Sequence, residues 1–365
     1  MAERAIVGMS GGVDSALAAA LLVEKGYDVL GVYMRNWTQD LPGFRCPWAD
    51  DLADAERVAV TLGIDLEVWD YEDEYRSTVV DYLVDAYAHG RTPNPDVMCN
   101  QTIKFGSFAQ RAFAEGADLI ATGHYARVDM RDDGPHLLRA ADEHKDQTYF
   151  LWRVPGQTFG RVLFPVGNYA SKAEVREACA VRGLGVEGKE DSTGVCFIGP
   201  VGMRQFLLSQ LDRRAGDIVE WETGRVLGHH DGAFLFTVGQ RKGLDLGGGP
   251  ARYVVSTDAE ANVVYVTADA DCPGLWTQVL VLEDVRWLVG EAPKVAGGPD
   301  GLACQVRLRH TGELRAATVR ATDGGARVCF SAVQRTVAPG QSVVIYDGLE
   351  CLGGGILAAN VPMGE

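Results

Sequence analysis

Two features of this 365-residue chain are set up for chemistry: a glycine–serine turn able to hold phosphate, and two cysteines among small polar residues. The turn is Ser10-Gly11-Gly12-Val13-Asp14-Ser15, between the apolar run 5–9 and the helix-forming stretch 16–22. In a strand–turn–helix of this kind, free backbone N–H groups and the positive helix end meet a phosphate. Gly11 and Gly12 permit close backbone approach, and Ser10 and Ser15 add hydroxyl donors. No Gly-Lys-Ser/Thr follows, so this is not a Walker loop. The first cysteine, Cys99, stands in Gly90-Arg91-Thr92-Pro93-Asn94-Pro95-Asp96-Val97-Met98-Cys99-Asn100. Two prolines and turn-forming Asn and Asp predict a rigid loop here rather than a helix. A thiol beside Asp96 could be tuned for reaction; an Asx-Pro turn next to an inert core cysteine gives the same pattern. The second, Cys196, lies in Lys189-Glu190-Asp191-Ser192-Thr193-Gly194-Val195-Cys196-Phe197-Ile198-Gly199, where an accessible loop and a core position are both open.

The elements that must position these groups alternate strand and helix over the first 130 residues. Strands are expected at 29–34, 64–69 and 118–123, and helices at 49–62, 75–89 and 105–113. Repeated βα units imply a doubly wound parallel sheet whose ligands bind at the C-terminal strand ends. The loops at 9–15, 34–48 and 123–127 should then share one crevice. A further helix over 171–184 is marked by Ser171 as cap, Glu174 at the capping-box position and Gly183 at its end. After Asp212 the pattern changes to short β runs, among them 233–238, 262–266 and 342–346, which suggest small antiparallel sheets or a barrel. The expected division is an α/β nucleotide-binding unit over 1–205, a small β-rich unit over 206–272 and a β-barrel-like unit over 273–365.

Composition bounds the function. At 47% hydrophobic and 23% charged, the chain is that of an ordinary globular protein, and no apolar stretch suffices for a bilayer. No secretory n-region and h-region open the sequence, and eight cysteines without a Cys-x-x-Cys pattern argue against a disulfide framework or zinc ribbon. A cytoplasmic location is expected. The net charge of −16 excludes broad, charge-driven nucleic-acid binding. Residues 301–346 nevertheless hold six arginines against two acids, enough for selective docking of one RNA.

Further motifs are Thr122-Gly123-His124-Tyr125, Lys145-Asp146-Gln147-Thr148-Tyr149, Thr237-Val238-Gly239-Gln240-Arg241-Lys242-Gly243-Leu244, Pro339-Gly340-Gln341-Ser342 and Cys351-Leu352-Gly353-Gly354-Gly355. The Ser10–Ser15 turn looks like the pyrophosphate loop of the ATP pyrophosphatases. The whole set, in this order and over nearly the full chain, resembles the tRNA-specific 2-thiouridylases, which convert the wobble uridine of certain tRNAs to 2-thiouridine.

That resemblance implies ATP on Gly8, Met9, Ser10, Gly11, Gly12, Val13, Asp14 and Ser15, with further contacts at Met34 and Gly123, and Mg²⁺ accompanying the nucleotide without a dedicated metal site. Asn94, Pro95 and Asp96 would meet the target base. Cys99 would be the nucleophile, Cys196 would carry sulfur as a persulfide, and Asp96 would act as a base or orient the base edge. His124, Lys145, Asp146, Gln147, Arg307, Leu308 and Gln341 would contact tRNA. Relatives usually show Arg-Tyr where this chain has Arg307-Leu308, and leucine offers no π face for stacking. The implied partners are tRNAs of the Lys, Glu and Gln type and a sulfur donor, either a cysteine desulfurase or a sulfur-relay protein, with no membrane. Three rivals remain at this point: a related adenylating enzyme acting on a small-molecule carbonyl, an iron–sulfur-dependent tRNA thiolase, and a non-catalytic RNA-binding or sulfur-carrier protein.

Overall fold

The computed structural model describes residues 2–40, 45–190 and 202–362. Its first sheet is parallel, in the order β3-β2-β1-β4-β7, from β1 (Arg4–Gly8), β2 (Asp28–Arg35), β3 (Asp65–Asp70), β4 (Leu119–Ala121) and β7 (Val162–Leu163). Alternate residues of β1 feed two cores, as the two-residue period of a strand requires. Ile6 joins the aromatic core with Trp69, Tyr75 and Phe108, while Ala5 and Val7 face the alanine-rich helix α1 (Val13–Glu24). Helices therefore cover both faces, and the strand order reverses between β1 and β4, where such sheets bind ligands. α2 (Trp48–Leu62) and α7 (Lys172–Val181) pack beside α1. Ser171 caps α7 by accepting from Glu174 N at 3.3 Å, whereas the Glu174 carboxylate reaches Ala170 N, one residue before the expected capping-box partner.

Two expectations are corrected here. The prolines at 93 and 95 do not keep the chain out of a helix: α5 (Pro95–Cys99) is helical and runs on through a wide-pitch stretch, Asn100–Ser107, into α6 (Phe108–Ala114). Asn94 caps it, its Oδ1 accepting from the N–H groups of Asp96 and Val97 at 3.0 and 3.3 Å, and Pro95 fills the first helical position, where no N–H is needed. Residues 233–238 are not a strand. Leu235 and Phe236 donate to Gly232 O and Ala233 O, forming a tight turn that drives Ala233 and Phe236 into a small core.

That core belongs to a four-stranded sheet, β10-β11-β8-β9, made by β8 (Gly216–Glu220), β9 (Val226–His230), β10 (Tyr253–Asp258) and β11 (Val263–Thr267). β8 and β11 run parallel, so the sheet is mixed rather than antiparallel. Beyond it, β12 (Trp276–Trp287), β13 (Leu302–Arg307), β14 (Arg315–Thr322), β15 (Gly325–Arg335), β16 (Ser342–Asp347) and β17 (Glu350–Pro362) form a barrel closed by the β12–β17 pairing. Its inside is aliphatic, with Leu280, Val306, Val319, Val328 and Ile345 fully buried. The barrel sheet is not drawn only from the chain after residue 273. The hairpin of β5 (Ala126–Arg131) and β6 (Gly134–Arg139) joins it at β17, through the Glu350–Leu138 pairing.

Candidate active site

The phosphate-type turn folds as its residues predict. Ser10 N donates to Ser15 Oγ at 3.1 Å, and Ser15 Oγ donates to Gly12 O at 3.1 Å, which locks the turn onto the first turn of α1. Gly12 caps that helix without a side-chain hydrogen bond, leaving the first-turn amides for a ligand. Gly11 has φ +72°, and a Cβ there would lie 2.1 Å from the Asp51 carbonyl oxygen of α2, so only glycine fits. Gly123 lies just as close to the other side, where a Cβ would be 2.6 Å from Ser15 N. Met34 covers Gly8. Gly8, Met34 and Gly123 thus come together as expected, with Met34 against Gly8 and Gly123 against the 10–15 turn.

The turn borders a cleft of about 250 Å³ lined by Ser10, Gly12, Asp14, Asp51, Lys145, Gln147, Lys172, Lys189, Glu190 and His310, among others. Lys172 Nζ donates to both Asp14 oxygens at 2.7 and 2.8 Å, and Tyr125 OH donates to Asp14 Oδ1 at 2.8 Å. Lys189 Nζ donates to Asp51 Oδ1 at 2.6 Å and to Gly11 O at 3.2 Å, and also pairs with Asp54. Three lysines at a helix N-terminus suit a polyphosphate. Among the described residues no cluster of three or more His, Cys, Asp or Glu forms a metal cage. The carboxylates of Asp14 and Asp51 are the side chains that could meet a phosphate-borne cation, which keeps most of its waters in such sites.

One residue beyond Gly123 the second half of the site begins. His124 is buried, with Thr122 Oγ1 2.8 Å from its Nδ1 and its ring 5.7 Å from that of Phe105, on the helical run after Cys99. Burial, and secondarily the Lys104 charge, hold its pKa well below the usual histidine range, so the ring is neutral. On α5, burial pushes the Asp96 carboxyl up, and Lys104 partly opposes it. Asp96, Lys104 and His124 therefore form one electrostatic group. Cys99, at the C-terminal end of α5, is 3% exposed. Cys196 and the Asp191–Gly199 part of its motif lie outside the described residues.

Residues expected together on RNA divide differently. Lys145 and Gln147 line the cleft beside the Ser10–Ser15 turn, and Gln147 Oε1 accepts from Tyr125 N at 2.9 Å. Asp146 and Arg307 face each other rather than solvent: they are 1% and 5% exposed, and Arg307 Nη1 donates to Asp146 Oδ2 at 2.8 Å. Asp146 also accepts from Thr148 Oγ1 and Ala140 N, and so bolts the amino-terminal unit to the barrel. Leu308 is buried but borders a groove of about 440 Å³ between the small sheet and the barrel, lined also by Arg309, Arg315, Arg335 and Gln341. Sequence reasoning missed Asp51, Lys104, Tyr125, Lys172, Lys189 and His310 as site residues. Tyr125 and Lys189 stand in motifs it singled out for other reasons, and Lys172 carried a signal as the first helical residue after the Ser171 cap.

Comparison with known proteins agrees with this architecture. Residues 3–200 match the family model described as tRNA methyl transferase HUP domain, 204–268 the tRNA methyl transferase PRC-barrel domain, and 277–357 the aminomethyltransferase beta-barrel domain. The chain is 43% identical over 356 residues to "tRNA-specific 2-thiouridylase MnmA 2" of Geobacillus kaustophilus, covering 97% of this chain and 94% of the relative. It is 43% identical over 357 residues to "tRNA-specific 2-thiouridylase MnmA" of Bacillus subtilis, with the same coverage. The Pseudomonas putida protein of that name is also 43% identical, over 364 residues, 98% of this chain and 96% of the relative. With such identity sustained through all three sheets, the chain belongs to the tRNA-specific 2-thiouridylase family.

Proposed function

We propose that this protein thiolates C2 of the wobble uridine of tRNA at the expense of ATP. The observation that carries the reading is the adjacency of its two half-sites. Gly123 lies against the phosphate-type turn, and the next residue, His124, packs on the helical run that begins with Asp96 and Cys99.

A uridine C2 carbonyl is a poor electrophile with a poor leaving oxygen; bound ATP supplies an adenylyl group that lets this oxygen depart as AMP. The chain's task is to hold and orient. The α1 amides, Ser10 and Ser15 grip the phosphates, while Lys145, Lys172 and Lys189 balance their charge. Asp14 and Asp51 are the groups toward which Mg²⁺ would be carried. Asn94, Pro95 and Asp96 face the base, Asp96 as base or orienter, its carboxyl pushed up by burial. Sulfur is assigned to a Cys196 persulfide. In one route its outer sulfur attacks C2, AMP departs, and the Cys99 thiolate then breaks the S–S bond at the inner sulfur to free the 2-thiouridine. In the other the Cys99 thiolate attacks the inner sulfur first, and the sulfide released attacks C2. Either route leaves a Cys99–Cys196 disulfide that an external thiol reduces. A wobble base already lies in a loop, so extruding it costs only a few kcal/mol. The arginines lining the barrel groove suit phosphates of the anticodon arm. A persulfide donor, tRNAs of the Lys, Glu and Gln type and a cytoplasmic setting complete the proposal; no described helix is long and apolar enough to cross a membrane.

The test is ATP-dependent sulfur incorporation into unmodified tRNA transcripts, read by mercury-gel retardation and nucleoside mass spectrometry. Wobble 2-thiouridine is expected only with both ATP and a sulfur donor, and Cys99→Ser and Cys196→Ser should each abolish it while ATP still binds. Pyrophosphate release without thiolated tRNA would overturn the reading in favour of a small-molecule carbonyl.

A further inference from the structure

Thr92 is held by segments remote from it in sequence. Its N–H donates to Pro339 O at 2.7 Å, and its carbonyl oxygen accepts from Gln341 Nε2 at 2.7 Å. Its hydroxyl lies 3.4 Å from Thr237 Oγ1 in the small-sheet unit. The motif that carries Asp96 and Cys99 thus meets, at Thr92, the motifs around residues 237 and 341, which supply no reacting group.

From Thr92 only Pro93 and Asn94 separate this junction from α5, which opens at Pro95. Proline fixes its own φ and confines the preceding residue to extended backbone. Thr92, Pro93, Asn94 and Pro95 are all restricted by this rule, and Asn94 is extended, at φ −109° and ψ 105°. The segment is a strut rather than a tether, so a shift at Thr92 reaches the α5 cap and, within the next turn, Asp96 and Cys99. The other end is equally firm: Gln341 O accepts from Leu357 N at 2.8 Å, in the barrel wall. The Gln341 side chain also borders the groove that contains Arg309, Arg315 and Arg335.

We propose that Gln341 is a positioning residue: through the Thr92 carbonyl it sets the placement of Asp96 and Cys99, and it couples an RNA backbone held in the arginine groove to the reacting end of the site. The coupling to RNA rests on the functional reading above; the positioning contact does not.

The test is Gln341→Ala in the full-length protein, read by peptide-resolved hydrogen exchange over residues 92–104, by binding of an unmodified tRNA transcript, and by thiolation kinetics. Exchange across α5 should quicken and kcat, read at saturating tRNA, should fall about five- to tenfold, the loss of one neutral hydrogen bond, whatever the change in tRNA affinity. Thr92→Ser retains every polar group of the junction and should match the parent in all three readouts. Unchanged exchange and kcat in Gln341→Ala would overturn the proposal. So would a tRNA affinity loss of about tenfold or more at unchanged kcat, which would make Gln341 an RNA contact. Exchange needs no turnover: a parent protein that fails to thiolate tRNA would defeat the functional reading, while faster exchange in the variant would still uphold the contact.

Discussion

Replacing Asp146 with alanine should unfasten the barrel from the amino-terminal unit rather than weaken a contact with RNA. The carboxylate is fully enclosed, 2.8 Å from Arg307 Nη1, and accepts from Thr148 Oγ1 at 2.9 Å and Ala140 N at 3.2 Å. Asp146→Ala leaves a buried guanidinium without its counter-charge, and its Nε already has no hydrogen-bond partner. Breaking a buried pair from one side costs about 3–5 kcal/mol, because the stranded charge keeps its desolvation penalty. At about 2–4 °C per kcal/mol for units of 150–250 residues, the transition that includes the barrel should fall by roughly 10 °C in scanning calorimetry. Exchanging Asp146 and Arg307 for apolar groups, Asp146→Leu with Arg307→Met, should recover part of that loss, since it removes the stranded Arg307 charge but leaves Arg139, whose Nε lies 3.5 Å from the same carboxylate. An Asp146→Ala protein that melts within about 2 °C of the parent but binds tRNA about tenfold more weakly would refute the reasoning.

Other outcomes follow from the site. Lys172→Met removes two charge-assisted hydrogen bonds to Asp14 and frees its charge toward the phosphates, so calorimetry should show ATP affinity reduced by about ten- to a hundredfold; unchanged affinity would separate the pair from nucleotide binding. Lys104→Met removes the charge that pulls the Asp96 carboxyl back down and helps to hold His124 neutral. Both pKa values should rise and the acidic limb of the thiolation pH profile should move to higher pH; an unmoved limb would exclude Asp96 as its source. His136 is disfavoured as a cation by burial, but Glu350 and Asp133 outweigh this and raise its pKa. Its contribution to stability is fully present below the unfolded value of 6.5 and fades as pH rises through the folded value. His136→Gln should therefore flatten the melting temperature above pH 6.5, and a variant that declines in parallel with the parent would count against the pairing.

The parts of this molecule legible in its sequence are those whose cause is local. The turn at residues 10–15, α2 running to Gly63 and the Ser171 cap each depend on neighbours a few residues away, and each forms as expected. α5 was legible but misread: Asn followed by Pro is a helix-start signal, and the weight given to two prolines as breakers concealed it. The stretch 233–238 has a strand's composition, yet glycine at 232 and the demand of Phe236 for a core fold it into a turn. Most of the charged architecture had no local trace. Lys172 reaches Asp14 across 158 positions and Arg307 reaches Asp146 across 161, so Lys172 has no reading in the sequence, and Asp146 and Arg307 read as RNA-facing, until the sheets bring them together. The cleft could be placed from topology; the cations that furnish it could not.

The hairpin formed by β5 and β6 imposes a timetable on the nascent chain. It emerges early, yet β6 finds its second neighbour only when β17 appears, with His136 and Glu350 separated by 214 positions. At about 5–20 residues per second, a ribosome needs roughly 10–40 s to bridge that gap. For that interval the side of β6 that faces β17 in the finished sheet is without its neighbour, the kind of edge on which strands of another chain can pair. Translation that stops short of residue 350 would make the wait permanent, releasing a fragment whose first, parallel sheet is complete but whose flank remains adhesive.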